Sequence, residues 1–179
     1  MNVSNRKVHK FIGLVVSVQL LLWTISGIFF SFNKIDQIRV ENYLKSVEQI
    51  TPQKISRISF DEAKELVIEK TYLKPISVEE ITEEKRGSEF RGRNLPLYKL
   101  SSLDSSDKEV NVYVDPSLGK IVAIRTFEWR LWDLMWGLHI MDWRDRDDIN
   151  NLFLKIFSIL ALISSITGII LFFRPKSKA

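Results

Sequence analysis

Hydrophobic and polar positions divide this chain into two long apolar rods with a mixed, shorter-period segment between them. Phe11 to Phe32 is a run of 22 uncharged residues. At about 1.5 Å of rise per helical residue it measures about 33 Å, long enough for a hydrocarbon core of about 30 Å. Inside lipid every backbone N–H and C=O must be paired within its own segment, so such a run predicts a helix. Leu152 to Phe173 predicts a second span, with Lys155 near its outer end able to extend its amine to the surface.

Each rod carries a stripe of small residues. On the first, His9, Gly13, Ser17, Leu20, Thr24, Gly27 and Ser31 recur at steps of three and four and line one face. Ser158, Ala161, Ser165 and Gly168 do the same on the second. Lipid tails give helices no hydrophobic reason to associate, so small residues that allow close approach are read as a packing seam. A sharper reading adds that His9, one turn from Gly13, holds a flat cofactor in the gap. Either way a partner helix is required.

Between the rods the period changes twice. Ile35 to Ile50 approximates one helical face and ends before Pro52. Ser59-Phe-Asp-Glu62 has the form of a capping box and opens an amphipathic helix reaching Tyr72. From Pro75 onward, Ile76 to Ile81, Leu95 to Leu103, Val110 to Val114 and Ile121 to Ile124 read as four strands. Asp115-Pro116 starts a turn that Gly119 leaves, predicting a hairpin between the last two. The loop Arg86 to Asn94, with two glycines and three arginines, reads as a solvated hairpin loop or as a contact for an acidic ligand or lipid phosphate.

Phe127 to Trp143 holds four of the five tryptophans and is interrupted by Asp133, too short and too polar to span. Such indole density matches an interfacial belt on the outer surface. If helical, Trp132, Met135, Trp136, His139 and Trp143 share a face. Arg144 to Asp148 forms a charged turn, and Asn150 or Asn151 caps the second span.

Charge then orients the rods. All 22 acidic residues and 19 of the 26 basic ones lie from Lys34 to Asp148, a formal −3. Outside that interval stand Arg6, Lys7, Lys10, Lys155, Arg174, Lys176 and Lys178 with no acid at all. By the positive-inside rule both termini are cytoplasmic and the middle is outside, a topology signal and not a nucleic-acid one. The apolar run after the N-terminal basic residues is too long for a signal peptide and lacks a small-residue cleavage site, so it reads as an uncleaved anchor. The expected order is a cytoplasmic tail (1–10), a first span (11–32), a connecting segment (33–54), an α+β domain (55–126), a Trp-rich interfacial segment (127–151), a second span (152–173) and a cytoplasmic tail (174–179). The fold class is therefore two antiparallel transmembrane helices flanking a small extracytoplasmic α+β domain.

The absence of cysteine excludes thiolate iron–sulfur ligation, covalent c-type haem, disulfides and thiol chemistry. No His-Glu-x-x-His helix, Gly-x-Ser-x-Gly elbow or phosphate-binding Gly-x-x-x-x-Gly-Lys loop is present, so no catalytic residue is assigned. Glu79, Glu80, Glu83 and Glu84 read as a solvated acidic surface. That leaves the two histidines. An imidazole at a membrane interface is, taken alone, more often a polar headgroup contact; its other reading is an axial ligand of b-type haem, which needs no cysteine. His9 at the inner end and His139 at the outer side stand about 30 Å apart, a membrane thickness, and cannot share one iron. Haem at either would draw its second ligand from another chain, most simply in a symmetric homodimer.

Residues 55–126, with their helix, Leu95-Pro-Leu-Tyr-Lys-Leu100 and the Asp115-Pro-x-x-Gly119 hairpin, resemble a PepSY domain, an extracytoplasmic α+β module. Val8-His9-Lys10-Phe11-Ile12-Gly13 followed by Leu21-Leu22-Trp23-Thr24-Ile25-Ser26-Gly27 resembles the first helix of the PepSY-associated transmembrane family. Gly137-Leu138-His139 before a span ending Thr167-Gly168 resembles the helix that follows the domain there. The resemblance covers nearly the whole chain. It implies His9 and His139 as haem ligands, haem b as cofactor and electron transfer toward iron, as in siderophore–iron reductases. The chain has two spans where larger members have four or more, which implies a homodimer or a membrane-complex partner docked through the small-residue faces. The other reading is a non-enzymatic module that binds or inhibits an envelope protein, or an accessory subunit.

Overall fold

The computed structural model describes residues 3–38, 43–45 and 57–173. It divides into two compact units. One, a helical unit, takes residues 1–31 and 135–179; the other, a sheet unit, takes residues 32–134. Most of the connecting segment, including the expected helix beyond Ile38 and Pro52, lies outside the described residues, as does the C-terminal tail.

In the helical unit, α1 (Val3–Phe32) begins eight residues before the apolar run, so Lys7 and Lys10 ride on the helix. α5 (Leu152–Phe173) matches the second apolar run. His9 lies against Thr167 and Gly168, and Gly13 against Ser164. Numbers rise on one helix as they fall on the other, so the pair is antiparallel. Stretches His9–Phe32 and Leu152–Ile170 are long and apolar enough to cross a membrane. Phe11, Leu14, Val18, Leu21, Ile159, Leu162 and Phe172 point outward, each at least 59% exposed. A surface so apolar has lipid, not water, as its solvent. The hydroxyls among them are neutralised locally. Ser17, Thr24, Ser26 and Ser31 on α1, and Ser165 and Thr167 on α5, each donate to a carbonyl three or four residues back.

The sheet unit contains α2 (Ile35–Ile38), α3 (Phe60–Lys70), β1 (Lys74–Ile81), β2 (Leu97–Leu103), β3 (Glu109–Asp115) and β4 (Lys120–Arg125). The strands form an antiparallel sheet in the order β1-β2-β3-β4. α3 starts where the sequence indicates: Ser59 Oγ accepts from Glu62 N, and Glu62 reaches back to Ser59 N at 2.7 Å. It stops at Lys70, two residues short of the expected end. Thr71 turns extended, and its buried hydroxyl donates to Val67 O.

One sheet face packs on α3. Ala63 and Val67 meet Tyr98, Leu100, Val110, Val112, Val114 and Ile124 in a closed core, and burying each aliphatic side chain contributes about 1.5–3 kcal/mol. Two bulges alter the simple alternation. Ile76 is the extra residue between Pro75 and Ser77 and is turned out to solvent. Val122 is the extra residue on β4, which lets Ile121 and Ile124, three apart, both face α3. The opposite face is narrower: Leu97, Tyr113 and Ala123, covered by Ile81, Phe90, Leu95 and Val122. The β3–β4 turn is held by Asp115 Oδ1, which accepts from Ser117 N and Leu118 N, and Gly119 leaves it at φ +56°. A last helix, α4 (Phe127–His139), runs across the division between the units, which falls between Leu134 and Met135.

Candidate functional site

The helical unit brings each histidine against a hydroxyl. His139, the last residue of α4, has its Nδ1 2.8 Å from Ser26 Oγ on α1. Ser26 already donates its one proton to Leu22 O at 2.8 Å, with Trp23 O at 3.1 Å. A hydroxyl has a single proton, so towards His139 it accepts, and the imidazole carries its hydrogen on Nδ1. His9 repeats the arrangement. Its Nδ1 is 2.8 Å from Thr167 Oγ1, which donates to Ile163 O at 2.7 Å. In both contacts Nδ1 is taken up by the hydroxyl, which leaves Nε2 as the ring nitrogen for an acceptor or ligand role.

The surroundings of the two rings differ. His139 is enclosed by aromatics: Phe30 at 5.7 Å edge-on, Trp136 at 6.4 Å nearly parallel, and Trp23 at 6.5 Å. Burial pushes its imidazole below the usual range, favouring the neutral form. His9 lies beside Gly168, where an added Cβ would come within 3.9 Å of its Cε1. Ser26 is 17 residues along α1 from His9, about 25 Å of helix, so the two rings occupy separate levels.

The end of α4 reaches its place because all its terminal carbonyls find donors. Ile140 N takes Trp136 O and Asp142 N takes Gly137 O, closing the helix with Met141 in the left-handed region at φ +57°. Gln19 Nε2 donates to Leu138 O at 3.3 Å and Trp23 Nε1 to His139 O at 2.7 Å. Asn151 Nδ2 donates to Ile140 O and caps α5 through Leu154 N. Unpaired carbonyls at an apolar helix surface are costly, and these side chains remove that cost. Gly137 allows the following loop to fold back. A Cβ there would stand 2.8 Å from Arg146 Cγ and 3.0 Å from Asp142 O.

Of the small stripe on α1, His9 and Gly13 meet α5, which supplies the required partner helix within the chain. Ser17, Leu20, Thr24, Gly27 and Ser31 are exposed instead. The face that packs inward runs through Val16, Gln19 and Ser26, all buried. The loop 86–94 is also unlike a solvated hairpin. Glu89 accepts from Asn111 Nδ2 at 2.9 Å, Tyr113 OH at 3.1 Å and Arg130. Arg91 pairs with buried Asp133 of α4. The loop is thus tied to the sheet and to the first half of α4. Sequence reading missed Glu89, Gln19 and Ser26. A Gln inside an uncharged run of 22 residues was the available signal for the second of them.

Two helices long and apolar enough to cross a membrane, with a four-stranded α+β unit between them in sequence, are the pattern of a membrane protein with an inserted folded domain. The model of the PepSY-associated TM region matches residues 6–179, and the chain belongs to that family. No curated protein and no solved structure matches it.

Proposed function

We propose that this protein is a two-pass cytoplasmic-membrane component that binds b-type haem through His9 and His139 and carries electrons across the bilayer, with both termini cytoplasmic and the PepSY domain (55–126) outside. The observation that carries the reading is the matched pair of imidazole–hydroxyl contacts. Metal-binding histidines characteristically donate their other ring N–H to a neighbouring acceptor, which fixes the ring and its tautomer. Here Ser26 and Thr167 take that role and leave each Nε2 open. His9 would hold haem iron at one level and His139 at the other, each through Nε2. With two histidines and no cysteine in the chain, and no cluster of three His, Asp or Glu among the described residues, any further protein ligand would come from a second copy. A homodimer or a larger membrane complex is therefore part of the reading, docked through the exposed small residues Ser17, Thr24, Gly27 and Ser31. Haem iron supplies one-electron chemistry when bound. The chain's own part is to hold two imidazoles at two depths and to screen the outer one with Trp23, Phe30 and Trp136.

Purified protein from haem-replete cells should show a Soret band that shifts on reduction. His9→Ala and His139→Ala should each remove part of it. Ser26→Ala should retain binding but alter the reduced spectrum, since Nδ1 loses its acceptor. A colourless protein would overturn the haem reading and favour the non-enzymatic binding module. For that module the relevant feature is the cleft of about 340 Å³ on the second sheet face, lined by Glu79, Lys85, Arg86, Glu89, Lys99 and Tyr113.

A further inference from the structure

Beside Glu89 and Trp129 the sheet unit sets four arginines, of which two are paired with a carboxylate. Arg91 pairs with Asp133, and Arg130 with Glu89. Arg93 and Arg125 have no carboxylate in contact among the described residues. Arg93 is exposed and sits on the turn that Arg125 touches: its amide donates to Phe90 O at 3.2 Å, next to Glu89, whose carbonyl takes Arg125 Nε. Arg125, at the end of β4, is 9% exposed. Its guanidinium lies 4.0 Å over the Trp129 ring, with Arg91 at 5.8 Å from that ring. Nε donates to Glu89 O at 2.9 Å and Nη1 to Ile124 O at 3.1 Å. A guanidinium has five N–H donors, so three are left with no acceptor among the described residues. Nη2 is among them and is not sealed from solvent.

A buried cation is normally paired with an opposite charge, because desolvation is costly and attraction to a partner offsets it. Around Arg125 the balance is reversed. Burial lowers its pKa first, to about 10, and the like charge of Arg93 bears on it more strongly than the carboxylate of Glu89. Stacking on Trp129 fixes the plane of the fork, so the free donors point in a set direction.

We propose that Arg93 and the open edge of Arg125 form a binding site for an oxyanion, a phosphate or carboxylate group held by the planar guanidinium fork. The site brings the missing counter-charge, and the fork geometry matches two oxygens of such a group. Phosphate of either origin, a free anion or a lipid headgroup, satisfies this chemistry.

The full chain in nanodiscs of phosphatidylcholine is titrated with inorganic phosphate, with chloride adjusted to constant ionic strength, and thermal unfolding is followed. Phosphate should raise the melting temperature, and Arg93→Ala should weaken the response about tenfold. Arg93 is exposed, so this variant keeps the fold. In a second arm, nanodiscs containing phosphatidylglycerol replace the free anion. A rise there without phosphate, lost in Arg93→Ala, assigns the headgroup; a rise confined to added phosphate assigns the soluble ion. The proposal is overturned if neither source raises the melting temperature, or if the rise survives Arg93→Ala undiminished.

Discussion

Replacing Glu89 by Gln keeps the side chain's shape and removes its charge at the point where loop, sheet and helix meet. Its carboxylate accepts from Asn111, Tyr113 and Arg130, and its backbone carbonyl from Arg125. Burial works to raise its pKa, but the contacts from Arg130 and Asn111 outweigh it and hold the group below the usual range. Hydrogen bonds to a charged group are worth about 1.5–3 kcal/mol, against about 0.5–1.5 for neutral ones. Glu89 and Arg130 keep 23% and 34% of their side-chain surface in solvent, so screening reduces the gain. A loss of about 2–3 kcal/mol follows for Glu89→Gln. For a unit of this size that lowers the melting temperature by roughly 10–20 °C.

The sign with pH is fixed by the depressed pKa. The stabilisation is fully present above the unfolded carboxyl value near 4.3 and is lost as pH falls through the lower folded value. The gap between native protein and variant should be constant from about pH 6 to 8 and should close in acid. Hydrogen exchange of the β3 amides, together with thermal unfolding in detergent, measures it. Glu83→Gln, at an exposed position, should change stability by less than about 0.5 kcal/mol. A Glu89→Gln protein indistinguishable from Glu83→Gln would refute the reasoning.

Three further outcomes follow from the helical unit. Gly137→Ala should cost about 1–3 kcal/mol, because its Cβ meets Arg146 and the Asp142 carbonyl; thermal unfolding of the variant against the native protein decides it. Trp23→Phe leaves the last α4 carbonyl without its donor at a cost of about 1–3 kcal/mol, visible as faster exchange of the Ile140 and Asp142 amides. Asp142 accepts from the amides of Asp145, Asp147 and Asp148, each at 3.0 Å. Burial acts to raise its pKa, and these amides, with that of Arg144, prevail and lower it. The loop should therefore keep its order above about pH 4 and lose it as pH falls through the folded value, with Asp142→Ala showing the same fast exchange at neutral pH.

Patterns with a local cause could be read from the chain directly. The two apolar runs require helix because lipid leaves the backbone no other partner, and they stand as α1 and α5. The Ser59–Glu62 capping box and the Asp115–Gly119 turn depend on residues within a few positions of each other, and both form as their sequences indicate. The family resemblance rests on the same local motifs and extends over residues 6–179. The end of α3 was misplaced because Thr71 is drawn into the core by a contact that periodicity does not register. The bulges at Ile76 and Val122 arise from the pairing of neighbouring strands, which a single strand's alternation does not carry.

The sequence by itself determined the two rods, the capped helix, the hairpin and the two histidines as the residues with ligand chemistry. Only the tertiary structure decided that His9 meets Thr167, 158 positions away, and His139 meets Ser26, 113 positions away. It also decided that Glu89 lies beneath Arg125 and beside Arg130 and is not in a free loop. The physical reason is the range of the forces. Backbone pairing and capping act within a turn of chain, while the tautomer of a ring or the balance of a buried charge depends on whatever group packing brings within about 3 Å.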